Sequence, residues 1–304
     1  MADEVKLRCG FVAVLGPTNS GKSTLVNSLV GQKVTIVSSK VQTTYHGVRG
    51  ILNDSDSQVI FTDTPGFQGH GDRVAKMLNQ VAENNATQCE MAVWVFDATS
   101  PRRALAEIEG LRPRIERLFP AEKSLLVLNK VDRASKPELL PLLEKTHAMG
   151  IFAELIPLSA LRKDGLDRLL AAVKARLPEG PALYPRDCVT DRPEDFRFSE
   201  IIREQIYLVT RQELPYSARV EMENFEGDRL GRVPTVRALI HVDSDSRKGI
   251  LIGTKGEKLK VIGTAARAEM ERITGRQICL KIHVDVEAGW RKRDDKIQRY
   301  LEMQ

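Results

Sequence analysis

GPTNSGKS, residues 16–23, is a glycine-rich stretch that follows the strand-like run FVAVL (11–15) and opens a helix-like segment. In that context a G-x-x-x-x-G-K-[ST] pattern binds the phosphates of a nucleotide. Its glycines let backbone N–H groups turn inward, and the helix N-terminus adds a favourable dipole. Lys22 is predicted to reach the β- and γ-phosphates, and the Ser23 hydroxyl to ligate Mg²⁺. The predicted nucleotide contacts in this loop are Gly16, Asn19, Ser20, Gly21, Lys22, Ser23 and Thr24.

DTPG (63–66) is the next motif along the chain, at the end of the strand-like run QVIFTD (58–63). Taken alone it is a turn sequence. Placed after a strand, it puts the Asp63 carboxylate where it can hold the Mg²⁺ shell. Gly66 offers a backbone N–H with little steric hindrance, which suits the detection of a γ-phosphate. Asp63 and Gly66 are therefore predicted nucleotide contacts.

NKVD (129–132) ends another strand and predicts which base is bound. The Asp132 carboxylate can accept two hydrogen bonds from guanine, whereas adenine would leave it unsatisfied at a cost of about 1–3 kcal/mol or more. Asn129 and Lys130 are expected to brace the loop and cover the ring. Further on, SAL supplies a backbone N–H for guanine O6 in this interpretation; its residues are Ser159, Ala160 and Leu161. Together the four motifs, each at the end of a strand, predict a GTPase fold.

The loop SSKVQTTYHG (38–47) is expected to supply a threonine to Mg²⁺ and the γ-phosphate. It offers Thr43 and Thr44, of which Thr44 is preferred. The predicted metal ligands are thus Ser23, Thr44 and Asp63.

The residue that activates water is less evident from the sequence. Ras-like enzymes place a glutamine after the DxxG turn, but here that residue is Phe67, and an apolar side chain cannot orient water. Gln68 is one position off. Asn19 is the better candidate if it helps to hold a K⁺ ion between the phosphates; that it merely shapes the loop is an equally good interpretation. The predicted catalytic residues are Lys22, Thr44, Gly66 and Asn19.

Hydrophobic patterning divides the 304 residues into two domains. Strand-like and helix-like segments alternate over residues 1–178, which predicts an α/β domain with a mostly parallel sheet covered by helices on both faces. A proline-rich segment predicts a linker over 179–196. Residues 197–304 have the order helix, two strands, glycine loop, helices, strand, which predicts an α+β domain.

The excess of positive charge lies in the C-terminal part of the chain. Residues 246–304 hold 14 Lys/Arg against 8 Asp/Glu, whereas the remainder holds 32 against 33. This excess of positive charge predicts a polyanionic partner for the C-terminal part. The four cysteines are far apart and form no CxxC pair, so a zinc site or a disulfide framework is not expected. No apolar run is long enough to span a bilayer, and MADEVKLRCG does not resemble a secretory signal.

GILIGTKGEKLK (249–260) is a second glycine loop, placed in the basic part of the chain. G-x-x-G between a strand and a helix predicts a KH loop, which clamps the backbone of about four unpaired nucleotides. Ile250, Ile252, Leu259 and Ile262 are expected to form an apolar groove for bases, or simply core. The predicted RNA contacts are Ile252, Gly253, Thr254, Lys255, Gly256, Lys258 and Lys260.

Over almost its whole length the sequence resembles the Era family of bacterial ribosome-assembly GTPases. The similarity rests on the GTPase motifs with QTT (42–44), on YPRDCVTDRPEDF (184–196), EIIREQI (200–206) and ELPYSARVE (213–221), and on IGTKG with EKLKVIGTAAR and AGW (288–290). It departs from the family at Thr18, at Tyr45 and in the tail QRYLEMQ. The resemblance implies a type II KH domain that binds the 3′ end of 16S ribosomal RNA, a nearby hairpin and the 30S subunit. It implies a cytoplasmic protein, with a fraction at the inner membrane face. A monomer is expected.

Three functional hypotheses follow from these features. The first is a GTP-switched RNA-binding protein in which GTP and Mg²⁺ order residues 38–47 and 63–72. The second is a constitutive RNA-binding protein whose first domain binds GTP with negligible turnover, because the glutamine is missing. The third is a membrane-associated signalling GTPase that uses its basic end on anionic lipid. Two acids interrupt WRKRDDKIQR (290–299), which disfavours the third.

Overall fold

The structure is a computed structural model that describes residues 7–38, 44–68, 73–210, 218–226 and 233–288. The chain forms two compact units, one of residues 1–35 and 44–191 and the other of residues 36–43 and 192–304. None of the helices within the described ranges is long and apolar enough to cross a membrane.

The first unit alternates strands and helices, as the sequence predicts. Its strands are β1 (Leu7–Leu15), β2 (Val48–Asn53), β3 (Ser57–Asp63), β4 (Met91–Asp97), β5 (Ser124–Asn129), β6 (Glu154–Pro157) and β7 (Glu179–Gly180). Its helices are α1 (Lys22–Val30), α2 (Arg73–Ala86), α3 (Pro101–Leu118), α4 (Lys136–Ala148) and α5 (Leu166–Lys174).

The main sheet has the strand order β2-β3-β1-β4-β5-β6, and β7 pairs with the start of β1. Pairing is parallel except at β2, antiparallel to β3, and at β7. β3 and β5 are buried along their whole lengths, as expected of strands covered on both faces. Because β1, β3, β4, β5 and β6 run in the same direction, their carboxyl ends meet at one edge, and the predicted motifs follow those ends.

β2 is a strand that the sequence pattern does not reveal. Gly50 interrupts its apolar run, which weakens the strand signal. In the structure Gly50 lies against α1, where a Cβ would come within 2.8 Å of Val26 and 2.9 Å of Val30. The glycine is thus required by tertiary packing, which local sequence does not encode.

The first part of the predicted linker packs against the first unit. The buried Gln58 side chain accepts hydrogen bonds from the backbone N–H groups of Leu183 (2.7 Å) and Tyr184 (2.9 Å). The Arg49 guanidinium binds the Asp191 carboxylate at 2.9 Å. Residues 179–191 therefore pack against the sheet as part of the first unit, and the second unit resumes at Arg192.

The second unit contains α6 (Glu194–Val209), β8 (Arg219–Glu226), β9 (Thr235–Val242), α7 (Asp245–Ile252), α8 (Glu257–Thr274) and β10 (Cys279–Val286). Its sheet has the order β10-β9-β8, with β10 parallel to β9 and β8 antiparallel to it. Buried residues of the helices and strands share one core, including Phe198, Ile240, Ile262 and Met270. The order α-β-β-α-α-β is that of a type II KH domain.

α7 corrects one detail of the sequence interpretation. The G-x-x-G loop lies between two helices, α7 and α8, and not between a strand and a helix. Ser244 begins α7, where its hydroxyl oxygen accepts a hydrogen bond from the backbone N–H of Arg247 (3.4 Å). An N-terminal serine followed by Asp245 is a helix-start signal that was present in the sequence.

Ile36 and Val37, in the loop after α1, belong to the second unit by their contacts. Ile36 is buried, and the Val37 backbone N–H donates to Oε1 of Glu204 on α6 at 2.9 Å. Glu204 is itself buried, near the buried ion pair between Arg203 and Glu200 (2.6 Å). The two residues just before segment 38–47, which is expected to respond to nucleotide, are thus anchored within the KH unit, Val37 directly to its first helix. Residues 39–43, including Thr43, lie outside the described ranges.

Candidate functional site

The loop between β1 and α1 is packed too tightly for side chains at two of its glycines. Gly16 has φ +135°, and a Cβ there would lie 2.2 Å from the Val95 carbonyl oxygen. Gly21 has φ +96°, and a Cβ there would lie 2.3 Å from Asn129 Nδ2. α1 begins at once with Lys22. A glycine loop that leads directly into a helix N-terminus is an arrangement that binds phosphate.

Lys22 is buried inside this loop. Its Nζ donates to the carbonyl oxygens of Pro17 (2.7 Å) and Gly16 (3.2 Å). Burial lowers the pKa of Lys22 to about 8, even though the Asp63 carboxylate acts in the opposite direction. The ammonium is therefore held by the loop's own carbonyl groups in a position where phosphate oxygens are expected.

Nucleotide binding is expected to take up a proton at alkaline pH because of this lowered pKa. Bound phosphates favour the charged form of Lys22 and raise its pKa above about 8. Below about pH 7 the group is already protonated and no uptake arises from it. Above about pH 8 the affinity should fall, by up to roughly tenfold per pH unit. Calorimetric GDP titrations in buffers of different ionisation enthalpy check this; equal proton uptake at about pH 7 and pH 9 contradicts it.

The predicted metal ligands meet around Asp63, at the end of β3. The Ser23 hydroxyl donates to Asp63 Oδ2 at 2.7 Å, and the Ser23 and Thr44 hydroxyl oxygens are 3.3 Å apart. Thr35 also donates to Oδ2, at 2.9 Å. The sequence interpretation missed Thr35, although it is a hydroxyl residue in the loop that follows α1.

Asp63 fits a divalent cation. Its Oδ1 is buried and has no hydrogen-bond partner within the described part of the chain. Burial raises the pKa of Asp63, and the hydrogen bond from Ser23 and the charge of Lys22 only partly offset this. A buried carboxylate oxygen beside two hydroxyl groups is the hard-oxygen environment that Mg²⁺ prefers.

Asn129 braces the predicted base-binding loop, as expected. Its Nδ2 donates to the Ser20 carbonyl oxygen at 2.9 Å. Its Oδ1 accepts from the backbone N–H groups of Lys130 (2.8 Å) and Ala160 (3.0 Å). One buried amide thereby ties together three of the four motifs.

Lys130 connects the same loop to the phosphate loop. Its Nζ donates to the Asn19 carbonyl oxygen (2.7 Å) and to Asp97 Oδ2 (2.6 Å). Burial alone would raise the pKa of Asp97, but hydrogen bonds from Lys130 and Thr99 hold it below its ordinary value. Asp97 was missed from sequence, although its place at the end of β4 is a usable signal.

Asp132 is held by the SAL segment. The Ser159 hydroxyl donates to Asp132 Oδ1 at 2.6 Å, and Arg162 Nε lies 3.4 Å from Oδ2. The backbone N–H of Ala160 is used by Asn129, and that of Ser159 by the Asp164 carbonyl oxygen. Within SAL this favours the backbone N–H of Leu161, a residue whose surface is 77% exposed, as the donor to a base oxygen.

Phe67 is turned into the core rather than towards the loop. Its ring stacks on Trp94, with centroids 6.1 Å apart, and the Arg114 guanidinium lies 4.6 Å above its centroid. Gly66, just before it, has no room for a side chain because a Cβ would lie 2.6 Å from Thr18 Cα. The Phe67 ring therefore packs the turn against the core. Another group must orient the attacking water.

Asn19 and Gln68 were the two polar candidates for that role. Asn19 has φ +60°, an uncommon conformation that asparagine tolerates, and its carbonyl oxygen accepts from Lys130. Asn79 holds the Gln68 backbone through hydrogen bonds of 3.0 and 3.2 Å. These contacts show that Asn19 shapes the loop; a role in K⁺ binding stays a prediction. Residues 69–72 lie outside the described ranges.

The second glycine loop is built for close backbone approach. Gly253 and Gly256 have φ of +73° and +81°, and Lys255 between them has φ +51°. A Cβ on Gly253 would lie 2.9 Å from Lys258 Cγ. Thr254 and Lys255 are exposed at the tip. The Lys258 ammonium donates to the Ile250 carbonyl oxygen at 3.2 Å, which closes the loop onto the end of α7.

The apolar groove differs in part from the predicted set. Leu259 lines a groove of about 380 Å³ beside the loop, whereas Ile262 is fully buried in the core. The other wall is formed by Leu280 and Ile282 of β10, which lie far away in sequence. Lys260 lines the groove as well.

Comparisons with known proteins agree with both domains. Residues 11–130 match a family model described as 50S ribosome-binding GTPase, and residues 213–291 match a KH domain model. GTPase Era of Nitratidesulfovibrio vulgaris (strain DP4) is 40% identical over 93% of each chain. GTPase Era of Lactobacillus delbrueckii subsp. bulgaricus is 39% identical over 96% of this chain and 95% of its own.

Two solved structures resemble this one over nearly the whole chain. A single-residue variant of Aquifex aeolicus Era bound to GDP·AlF₄⁻ has a TM-score of 0.88, 34% identity, and coverage of 96% of this chain and 98% of its own. Era in complex with MgGDPNP and nucleotides 1506–1542 of 16S ribosomal RNA has a TM-score of 0.89, 34% identity, and coverage of 97% and 98%.

Fold and site together define a P-loop GTPase domain followed by a type II KH domain. At this level of identity over nearly the whole length, the chain belongs to the Era family of GTPases.

Proposed function

We propose that this protein binds and hydrolyses GTP, binds the 3′ end of 16S ribosomal RNA and a nearby hairpin through its KH domain, and assists assembly of the 30S subunit. The observation that carries the nucleotide part is the buried Asp63 carboxylate, with one oxygen bound by Ser23 and Thr35 and the other without a described partner. The RNA part is supported by the exposed G-x-x-G loop and by the Era complex with nucleotides 1506–1542.

The residues at the carboxyl ends of the strands each contact a different part of GTP in this proposal. Lys22 neutralises the β- and γ-phosphates, and Asp132 accepts the two guanine donors. Mg²⁺, held by Ser23, Thr44 and Asp63, neutralises charge on the phosphate oxygens during transfer. Bound GTP is proposed to order residues 38–47 and 63–72.

Hydrolysis proceeds without a glutamine after the DTPG turn. We assign the positioning of the γ-phosphate to the Gly66 N–H and to Thr44, and propose a K⁺ ion near Asn19 for the remaining charge. Turnover measured in K⁺ and in Na⁺ buffers tests this assignment. Equal rates in the two salts remove the K⁺ proposal and leave Asn19 as a loop-shaping residue.

The buried Phe67 ring favours one alternative, a constitutive RNA-binding protein that holds GTP with negligible turnover. Single-turnover hydrolysis, with and without 16S nucleotides 1506–1542, separates the two functions. Phosphate release that exceeds the protein-free background supports the GTPase. Background release under all conditions, with GTP bound, supports the alternative.

Lys255→Ala is expected to weaken RNA binding about threefold to tenfold and to lower the salt slope of the affinity by about 1, because one phosphate contact is lost. Fluorescence anisotropy with 16S nucleotides 1506–1542 measures both quantities. Lys281→Ala is the matched control: Lys281 is exposed on β10, where alternation points it away from the groove side of Leu280 and Ile282. Equal losses in the two variants would contradict a specific role for Lys255.

A cytoplasmic protein with a fraction at the inner membrane face is the proposed location, and a monomer the proposed state. The membrane-associated signalling alternative predicts binding to anionic liposomes that RNA displaces poorly. Co-sedimentation with phosphatidylserine vesicles, with and without the RNA fragment, distinguishes that alternative from RNA binding.

A further inference from the structure

The groove between α8 and β10 combines an apolar wall with a basic rim. Leu259 of α8 and Leu280 and Ile282 of β10 provide apolar surface, and Lys260 and Arg267 provide positive charge within a space of about 380 Å³. Because α8 rises about 1.5 Å per residue, Lys260 and Arg267 stand roughly 10 Å apart along the groove. The groove is therefore long enough to contact a nucleic acid strand that continues beyond the glycine loop.

Gly263 lies in the middle of this groove, seven residues into α8. A glycine inside a helix is unfavourable relative to alanine. Its backbone is not in the positive-φ region, so its conformation does not require glycine. An added Cβ would meet only Ile282 Cδ1, at 3.5 Å, which is an ordinary contact. The free protein thus has no structural need for glycine at this position.

Gly110 shows that an unrequired helix glycine is not by itself evidence of a site. It lies inside α3, is exposed, and a Cβ there would meet nothing within 4 Å. Gly263 differs because it lines a groove, with apolar side chains opposite and cations on both sides along the helix. The missing side chain therefore enlarges a space that has the chemistry of a ligand site.

The two cations of the rim remain available to an anion. Neither Lys260 nor Arg267 forms an ion pair with any residue in the described ranges. On another face of the same helix, Arg272 binds Glu269 through two contacts of 2.8 Å. Arg272 is thus neutralised on a face away from the groove, whereas Lys260 and Arg267 have no acidic partner among the described residues, which complements a phosphate backbone.

We propose that Gly263 is a specificity-determining position of the RNA groove. The absent side chain gives an unpaired nucleobase room to lie against Leu280 and Ile282, while Lys260 and Arg267 hold the adjoining phosphates. The occupant is single-stranded RNA, in agreement with the base-stacking and backbone contacts by which proteins bind unpaired strands. This inference rests on the proposed RNA-binding function. It adds that the size of the residue at position 263 limits the space available to a nucleobase in the groove.

Substitution at Gly263 should move stability and RNA affinity in opposite directions. Gly263→Ala is expected to raise the unfolding midpoint of the KH domain by roughly 3–6 °C, because helix propensity improves without a clash. It should weaken binding of 16S nucleotides 1506–1542 by about threefold, and Gly263→Leu, which fills the groove, by about tenfold or more. A merely structural glycine would give lower stability in both variants.

Two control variants separate groove filling from general effects. Gly110→Ala makes the same change in an exposed helix of the first unit, and Val261→Leu adds bulk to an exposed position of α8 that does not line the groove. Both should keep wild-type RNA affinity within about twofold. Full-length protein loaded with GDPNP is titrated by fluorescence anisotropy.

Wild-type affinity in either Gly263 variant overturns the inference, as does an equal loss in Val261→Leu. A wild-type protein that does not bind the RNA removes the proposed function instead, so the two failures are distinguishable. A graded loss confined to the Gly263 variants, with a raised midpoint for Gly263→Ala, supports the inference.

Discussion

Asp132→Asn is expected to lower the affinity for GTP by roughly 10²–10³-fold and to raise the affinity for XTP. The carboxylate accepts two guanine hydrogen bonds, and hydrogen bonds to a charged group contribute about 1.5–3 kcal/mol each. An amide keeps one acceptor and presents one donor, which opposes the guanine 2-amino group. Xanthine has a carbonyl oxygen at that position, which accepts from the new amide.

The surroundings of Asp132 determine how the replacement side chain should lie. Because the Ser159 hydroxyl donates to Oδ1 at 2.6 Å, the amide oxygen takes that place and the amide nitrogen replaces Oδ2. The ion pair with Arg162, whose side chain is 70% exposed, is lost at little cost. Ser159→Ala should therefore weaken the switch to xanthine, whereas Arg162→Ala should leave base preference unchanged.

Competition between labelled GDP and unlabelled GDP, XDP or ADP measures the preference. Undiminished guanine binding by Asp132→Asn would show that another residue recognises the base. A loss of all nucleotide binding, XDP included, would point to collapse of the loop around Asn129 rather than to altered recognition.

Lys22→Met is expected to lower the rate of GTP hydrolysis by about 10²–10³-fold, with little change in the stability of the nucleotide-free protein. Loss of one preorganised charge at the transferring phosphate removes about 3–4 kcal/mol of transition-state stabilisation. In the empty protein the variant loses two hydrogen bonds to loop carbonyl groups but no longer buries a charge, and these effects oppose each other.

Single-turnover hydrolysis and thermal unfolding are the two measurements for Lys22→Met. Lys145→Met serves as the control, since Lys145 carries the same charge in the last turn of α4. Near-wild-type turnover in Lys22→Met would place the essential cation elsewhere. A large fall in the unfolding midpoint would mean that loop collapse, not lost charge, explains reduced turnover.

Most of the nucleotide site could be predicted from sequence because its motifs follow strongly apolar strands. Lys22, Asp63 and Asn129 each lie at or soon after the end of such a strand, so the direction of the strands alone brings them to one edge. Thr35 and Asp97 escaped prediction because each is a single polar residue outside any motif. Their roles depend on hydrogen bonds to Asp63 and Lys130, which only the folded chain shows.

The second domain was harder to predict in detail. Its class followed from the order of elements, but the groove wall formed by Leu280 and Ile282 depends on contact with α8 across the fold. Ile262 has the same character in sequence as Leu259, yet one is core and the other lines the groove. Helical periodicity alone did not separate them, because both lie near the apolar face of α8.

The hydrogen bond between Val37 and Glu204 of α6 gives a physical basis for coupling between the two functions. Thr35 donates to Asp63 at the proposed metal site, and two residues later Val37 donates to Glu204 of the KH unit. GTP and Mg²⁺ bound at Asp63 should bias this short segment, and the segment contacts the helix that begins the KH domain. Coupling of this kind typically amounts to about 1–3 kcal/mol.

The most direct test of a GTP-switched RNA-binding protein is the dissociation constant for 16S nucleotides 1506–1542, measured in saturating Mg²⁺·GDPNP and in saturating GDP. We expect the two affinities to differ by at least about fivefold, and by reciprocity the RNA should change the GDPNP-to-GDP preference by the same factor. Equal RNA affinities in the two nucleotide states would contradict the switch and leave a GTPase and an RNA-binding domain that act independently.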